Sequence, residues 1–148
     1  NSLVNRFGAR AFLSPIERAF IDDPSPTQHV RVQFAWRYEC LWILLWALGY
    51  VETLERPDKI CDVPKAVRHL RNRCTAEFIC NSRLRSIAEL LDEADLIYRY
   101  HWAVAEGRLK ERPGPAGLEP DVVQERHHAL NWLIGHLDQE WDKISTDT

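Results

Sequence analysis

Apolar and charged residues alternate along this chain in long helical periods, with no sustained two-residue alternation of the kind that marks strands. The longest uncharged stretch runs from Cys40 to Val51, twelve residues inside the segment WRYECLWILLWALGY. Its apolar side chains surround a helical wheel instead of forming one stripe, which predicts a helix buried on all sides. Ser25-Pro26-Thr27-Gln28 has the form of a capping box and predicts the start of this helix; Gly49 offers its stop after Leu48. A second long helix is predicted from about Arg83 to Leu109, with Leu84, Ile87, Leu91, Ala94, Tyr98 and Trp102 as its core-facing stripe.

Shorter elements fill the rest. Ser14-Pro15-Ile16-Glu17 is a capping box for a short helix ending before Pro24. Asp62 is the N-cap of a basic helix to about Arg71, after a loop from Glu52 to Cys61 that carries Pro57. Ala76 to Asn81 has no decisive pattern. Arg112 to Glu119 is a loop, and a last helix runs from about Asp121 to Ile134, stopped by Gly135. Trp141 is the only large apolar anchor beyond Asp138. The expected fold class is all-α, one helical domain over 1–148 with two long core helices and several shorter ones. The chain contains no Met and opens at Asn1, which reads as a product lacking an N-terminal segment.

A membrane span needs about twenty apolar residues. Twelve, closed by Arg37 and Glu39 on one side and Glu52 on the other, are too few. No signal peptide is visible in Asn1 to Leu13. The 148 residues are 45% hydrophobic and 28% charged, enough for a sizeable core, with a net charge of −3. That balance argues against nucleic acid or an anionic membrane as partner. Charge is uneven: Lys65 to Arg85 holds six basic residues against Glu77, and Glu111 onward holds eight acids against three bases. Cys40, Cys61, Cys74 and Cys80 form no CxxC, so reduced thiols in a cytoplasmic setting are expected and structural zinc is not.

The candidate site comes from charges placed among apolar neighbours. Arg37 sits in the helical row Val30, Phe34, Leu41, Leu44, and Glu39 in the row Ala35, Trp42, Trp46. A buried charge needs a partner. The second long helix supplies candidates: Arg85 with Glu89, Asp95 with Arg99, and Asp92 between them. Crossing helices would let Arg37 meet Asp92 or Asp95, and Glu39 meet Arg85 or Arg99. His101 belongs to the same helix, while His127 is expected to point inward and His128 lies on the other side of its helix with Glu125 and Trp132. One outcome is a charge network that fixes helix register. The other is a polar pocket, in which Glu89-Leu-Leu-Asp92 is similar to the ExxD of helical nucleotide pyrophosphohydrolases, with Glu52-Thr-Leu-Glu55 as its companion. No nucleophile elbow, phosphate loop or dinucleotide fingerprint is present, and the tryptophans lie on apolar rows expected in the core.

WRYECLWILLWALGYVETL, Pro57, Cys61-Asp62, LRSIAELLDEADLIYRYHWA, ERHHALNWLIG and WDKISTDT occur in this order along the chain. In this it resembles the domain of unknown function 4272 family, uncharacterised and mostly bacterial, over nearly all of its length. The resemblance implies longer members with an extra N-terminal segment. It implies no reaction, cofactor or catalytic residue.

The expected function is a cytoplasmic protein-interaction module with another protein as partner, such as the neutralising (immunity) partner of a bacterial toxin. A non-enzymatic role without cofactor or metal is favoured. The alternatives are a metal-dependent phosphohydrolase built on Glu89, Asp92 and Asp95, and a small-molecule sensor with a pocket lined by Trp42, Trp46 and Trp102. The candidate binding residues are Arg37, Glu39, Arg85, Glu89, Asp92, Asp95, Arg99 and His101.

Overall fold

The computed structural model describes residues 4, 5, 7–112 and 117–148. These residues are all-α. The helices are α1 (Pro15–Asp22), α2 (Gln28–Trp36), α3 (Tyr38–Ala47), α4 (Val63–Arg71), α5 (Thr75–Asn81), α6 (Ile87–Leu109) and α7 (Pro120–Leu133), with single 3-10 turns at Ala9–Phe12, His136–Asp138 and Trp141–Lys143. Part of the predicted Arg112 to Glu119 loop lies outside the described residues.

Local chemistry sets the helix ends. Ser14 accepts from the Glu17 N–H and Glu17 reaches back to the Ser14 N–H, completing the predicted capping box. The Asp62 carboxylate caps α4 by accepting from the Lys65 N–H at 2.9 Å. Gly49 follows α3 at φ +80°, and a Cβ there would lie 3.0 Å from the Arg83 carbonyl oxygen, so glycine is required by both conformation and space.

Three expectations shift. The helix predicted over the Gln28–Leu48 stretch is divided at Arg37, whose backbone turns to ψ −8° between α2 and α3. Thr27, not Ser25, is the N-cap of α2. The long helix begins at Ile87, because Ser86 and Glu89 form a second capping box. Arg83 and Arg85 instead donate backbone N–H bonds to the Leu48 and Ala47 carbonyls at 2.9 Å, closing the end of α3. The undecided segment after Cys74 is helical.

The centre of the fold is α7. It packs on α6 on one side and on α3 on the other. Val122, Val123, Ala129 and Leu130 are fully enclosed, as are Ile43 and Leu45 of α3. As predicted, α3 is buried around its circumference. Leu90, Ala94, Ile97 and Val104 form the face of α6 turned into the core. Among the described residues no helix is long and apolar enough to cross a membrane.

His127 points inward, as its row predicts, and faces His101 across the α6–α7 contact with Nδ1 to Nδ1 at 2.8 Å. One nitrogen must donate and the other accept, so the accepting imidazole is neutral. Burial, then the neighbouring His101, holds the His127 imidazole down at about 4; burial also lowers His101. A histidine depressed in the folded state is neutral in both states above its unfolded value near 6.5, and only the unfolded chain gains the proton below it. Stability is therefore fully present above about pH 6.5 and falls as pH drops toward 4, by up to about 3 kcal/mol from His127. Urea midpoints measured across this window should show the decline, and His127→Gln should flatten much of it.

Candidate functional site

Glu39 begins the polar architecture. It lies in the first turn of α3 and is completely enclosed. Arg126, in the middle of α7, donates its Nε–H to Glu39 at 2.7 Å and its Nη1–H to the Glu55 carbonyl at 2.6 Å. The other Glu39 oxygen accepts the Cys61 N–H. One buried ion pair thus holds both arms of the loop between α3 and α4, and the Glu119 N–H adds a bond to the Pro57 carbonyl at 2.8 Å. Outside this pair lies a cleft of about 470 Å³, with Trp42, Arg56, Lys59, Cys61 and Lys65 among its walls. The Lys65 ammonium stands 5.7 Å from the Trp42 ring centroid. Desolvation, then the Glu39 charge, pushes the Cys61 thiol up to about 12, so it is no thiolate nucleophile.

The eight residues predicted as one cluster occupy five places. Glu39 pairs with Arg126 instead of Arg85 or Arg99. Arg37 approaches Glu17 at 3.5 Å and lies 5.0 Å over the Phe34 ring, not beside Asp92 or Asp95. Its Nη1 atom is buried without a hydrogen-bond partner among the described residues, as are His128 Nε2, Trp141 Nε1 and Asp142 Oδ1. Arg85 closes α3: it donates to the Trp46, Val51 and Glu52 carbonyls, stacks 4.7 Å over the Trp46 ring and pairs with Glu89 at 2.9 Å. Asp95 and Arg99 form the predicted i,i+4 pair at 2.7 Å on the surface, and Asp92 is exposed beside them. His101 faces His127.

The stripe expected to face the core does the reverse. Leu84, Ile87, Leu91, Tyr98, Trp102 and Leu109 are between 45% and 86% exposed; only Ala94 of the predicted stripe is buried. Five of the six lie on α6 itself, within about 60° of one another at 100° per residue. Asp92, Asp95 and Arg99 line one edge of this stripe. Together these residues form a contiguous exposed apolar face. The expected ligand pocket between Trp42, Trp46 and Trp102 is not assembled: Trp42 and Trp46 are buried in α3, and Trp102 lies on the outer face of α6. Trp132 is likewise exposed.

Two signals for this arrangement were present in the sequence. Arg126 sits among Val122, Val123, Ala129 and Leu130 as Arg37 sits among its apolar neighbours. The α6 segment carries two apolar arcs, Leu90–Ala94–Ile97–Val104 and Ile87–Leu91–Tyr98–Trp102, and one helical neighbour covers only one of them.

Compared with known proteins, residues 1–144 of the 148 match the family described as Domain of unknown function (DUF4272). The chain belongs to the DUF4272 family. No curated protein and no solved structure matches it. The DUF4272 match spans α1 to α7, so the Glu39–Arg126 pair, the cleft and the α6 face all lie within it. Among the described residues no group of three or more His, Cys, Asp or Glu side chains is arranged to hold a metal ion.

Removing one partner of a buried ion pair leaves a charge without compensation, at a cost of about 3–5 kcal/mol. Arg126→Met is expected to lower stability by that amount in chemical denaturation. Glu39→Gln combined with Arg126→Met should recover part of it, because the double variant buries no charge; a double variant as unstable as the sum of the singles would contradict the pairing. Thiol labelling of the native protein should modify the exposed Cys74 and Cys80 quickly and leave the buried Cys40 untouched.

Proposed function

We propose that this chain is a protein-interaction module that docks through the outer face of α6. The observation that supports it is the exposed stripe Ile87, Leu91, Tyr98, Trp102 and Leu109 on a 23-residue helix, with Leu84 just ahead of it. Such a helix is about 34 Å long at 1.5 Å per residue. Aromatic and leucine side chains bounded by charges are the composition of an interface core with a polar rim.

The phosphohydrolase alternative draws less support from the geometry. Glu89 is committed to the Ser86 capping box and to Arg85, and Asp95 to Arg99. Bonds from Ser86, backbone and side chain, and then Arg85 hold the Glu89 carboxyl below the usual carboxylate range, which keeps it an anion serving the helix start.

Placing a photo-crosslinking amino acid at Trp102 of the full-length protein in its host cells tests the proposal. A covalent adduct with a protein, either a second copy or another chain, is expected at position 102 and not at the exposed control position Lys59. Absence of any protein adduct at position 102 overturns the reading.

A further inference from the structure

Resting on the interaction-module reading, we infer that the partner of the α6 face is a second copy of this chain, docked antiparallel along α6 about a two-fold axis. Three observations carry this.

The first is register. A two-fold interface must be self-complementary, so its pattern has to read the same from both ends. About a midpoint between Leu96 and Ile97, Leu91 falls opposite Trp102 of the second copy, and Trp102 opposite its Leu91. Leu91 and Trp102 thus meet twice about the axis, while Tyr98 falls opposite Asp95 and Ile87 opposite Glu106 of the second copy.

The second is charge. Antiparallel helices bring like flanks together, whereas parallel helices bring opposite flanks together. Asp92, Asp95 and Arg99 share one flank of the stripe. In the antiparallel register Arg99 faces Asp92 and Asp95 of the second copy, and the reciprocal contacts follow by symmetry. The other flank, at Ala94 and His101, is already turned toward α7, so a parallel pair would find no charged partner there.

The third is area. Six side chains this exposed present on the order of 700 Å² per copy, close to the ~800 Å² per partner of a standard specific interface. A single copy leaves that surface in water.

Sedimentation equilibrium and light scattering on the purified protein test the inference. A dimer is expected. Leu91→Glu should give a monomer with unchanged helical circular dichroism; if that variant fails to fold, Trp102→Glu serves the same purpose. Asp95→Arg should weaken the dimer about tenfold, and the swap Asp95→Arg with Arg99→Asp should restore it, because the swap rebuilds the contacts across the axis. A wild-type monomer at the highest soluble concentration overturns the inference, as does a dimer indifferent to both Leu91→Glu and Asp95→Arg. A monomer that still crosslinks to a different protein through position 102 would defeat self-association alone and leave the interaction-module reading standing.

Discussion

The structure depends on one buried ion pair. Glu39 and Arg126 come from positions 87 residues apart, and neither reaches solvent. Desolvating both charges is costly, and attraction between them offsets that cost only when the remaining donors and acceptors are also satisfied. Here they are: the Glu39 carboxylate takes the Cys61 N–H as well as Arg126, and Arg126 also serves the Glu55 carbonyl. The position of Glu39 in the first turn of α3 adds the favourable field of a helix N-terminus. The pair sets how α3 lies on α7, and it carries the loop that walls the cleft. A wrong register of the two helices would strand both charges.

With α7 pinned against α3, the placement of α6 follows. One side of α7 is occupied by α3, and α6 takes the other through Leu90, Ala94, Ile97, Val104 and the His101–His127 contact. That leaves α6 with α7 as its principal helical neighbour among the described residues. A helix with one apolar arc is satisfied by one neighbour. Since α6 has two such arcs, its second is exposed among the described residues.

What was legible in the sequence is what is decided locally. The Ser14–Glu17 box, the Asp62 cap, and the stops at Gly49 and Gly135 depend on residues three or four apart, and each appears as read. Burial around all of α3 and the inward turn of His127 follow from rows on a single helix. The break at Arg37 was not legible, because neither proline nor glycine interrupts the run from Phe34 to Tyr38. Long-range pairing is hidden for a different reason. Arg37, Glu39 and Arg126 all carry the signal of a charge embedded in apolar rows, but a row on one helix does not name the partner on another, and Glu39 pairs with α7 and not α6. The outward turn of the α6 stripe is hidden because periodicity reports that a face wants to be buried, not which neighbour buries it.

Three of the charged residues that stand out in the sequence, Asp92, Asp95 and Arg99, border the exposed stripe of α6. An i,i+4 pair such as Asp95–Arg99 contributes only about 0.3–0.5 kcal/mol to a solvent-exposed helix, so its effect on the stability of α6 is small. Its location carries more meaning than its energy. It borders Leu91, Tyr98 and Trp102 near the middle of the stripe, where a polar rim would border an apolar interface core. On the proposed docking role, charges there would oppose indiscriminate hydrophobic association and favour one orientation of the partner, since a misaligned partner would bury them unpaired. On the proposed reading, Asp92, Asp95 and Arg99 form the rim of a docking face instead of the wall of a pocket.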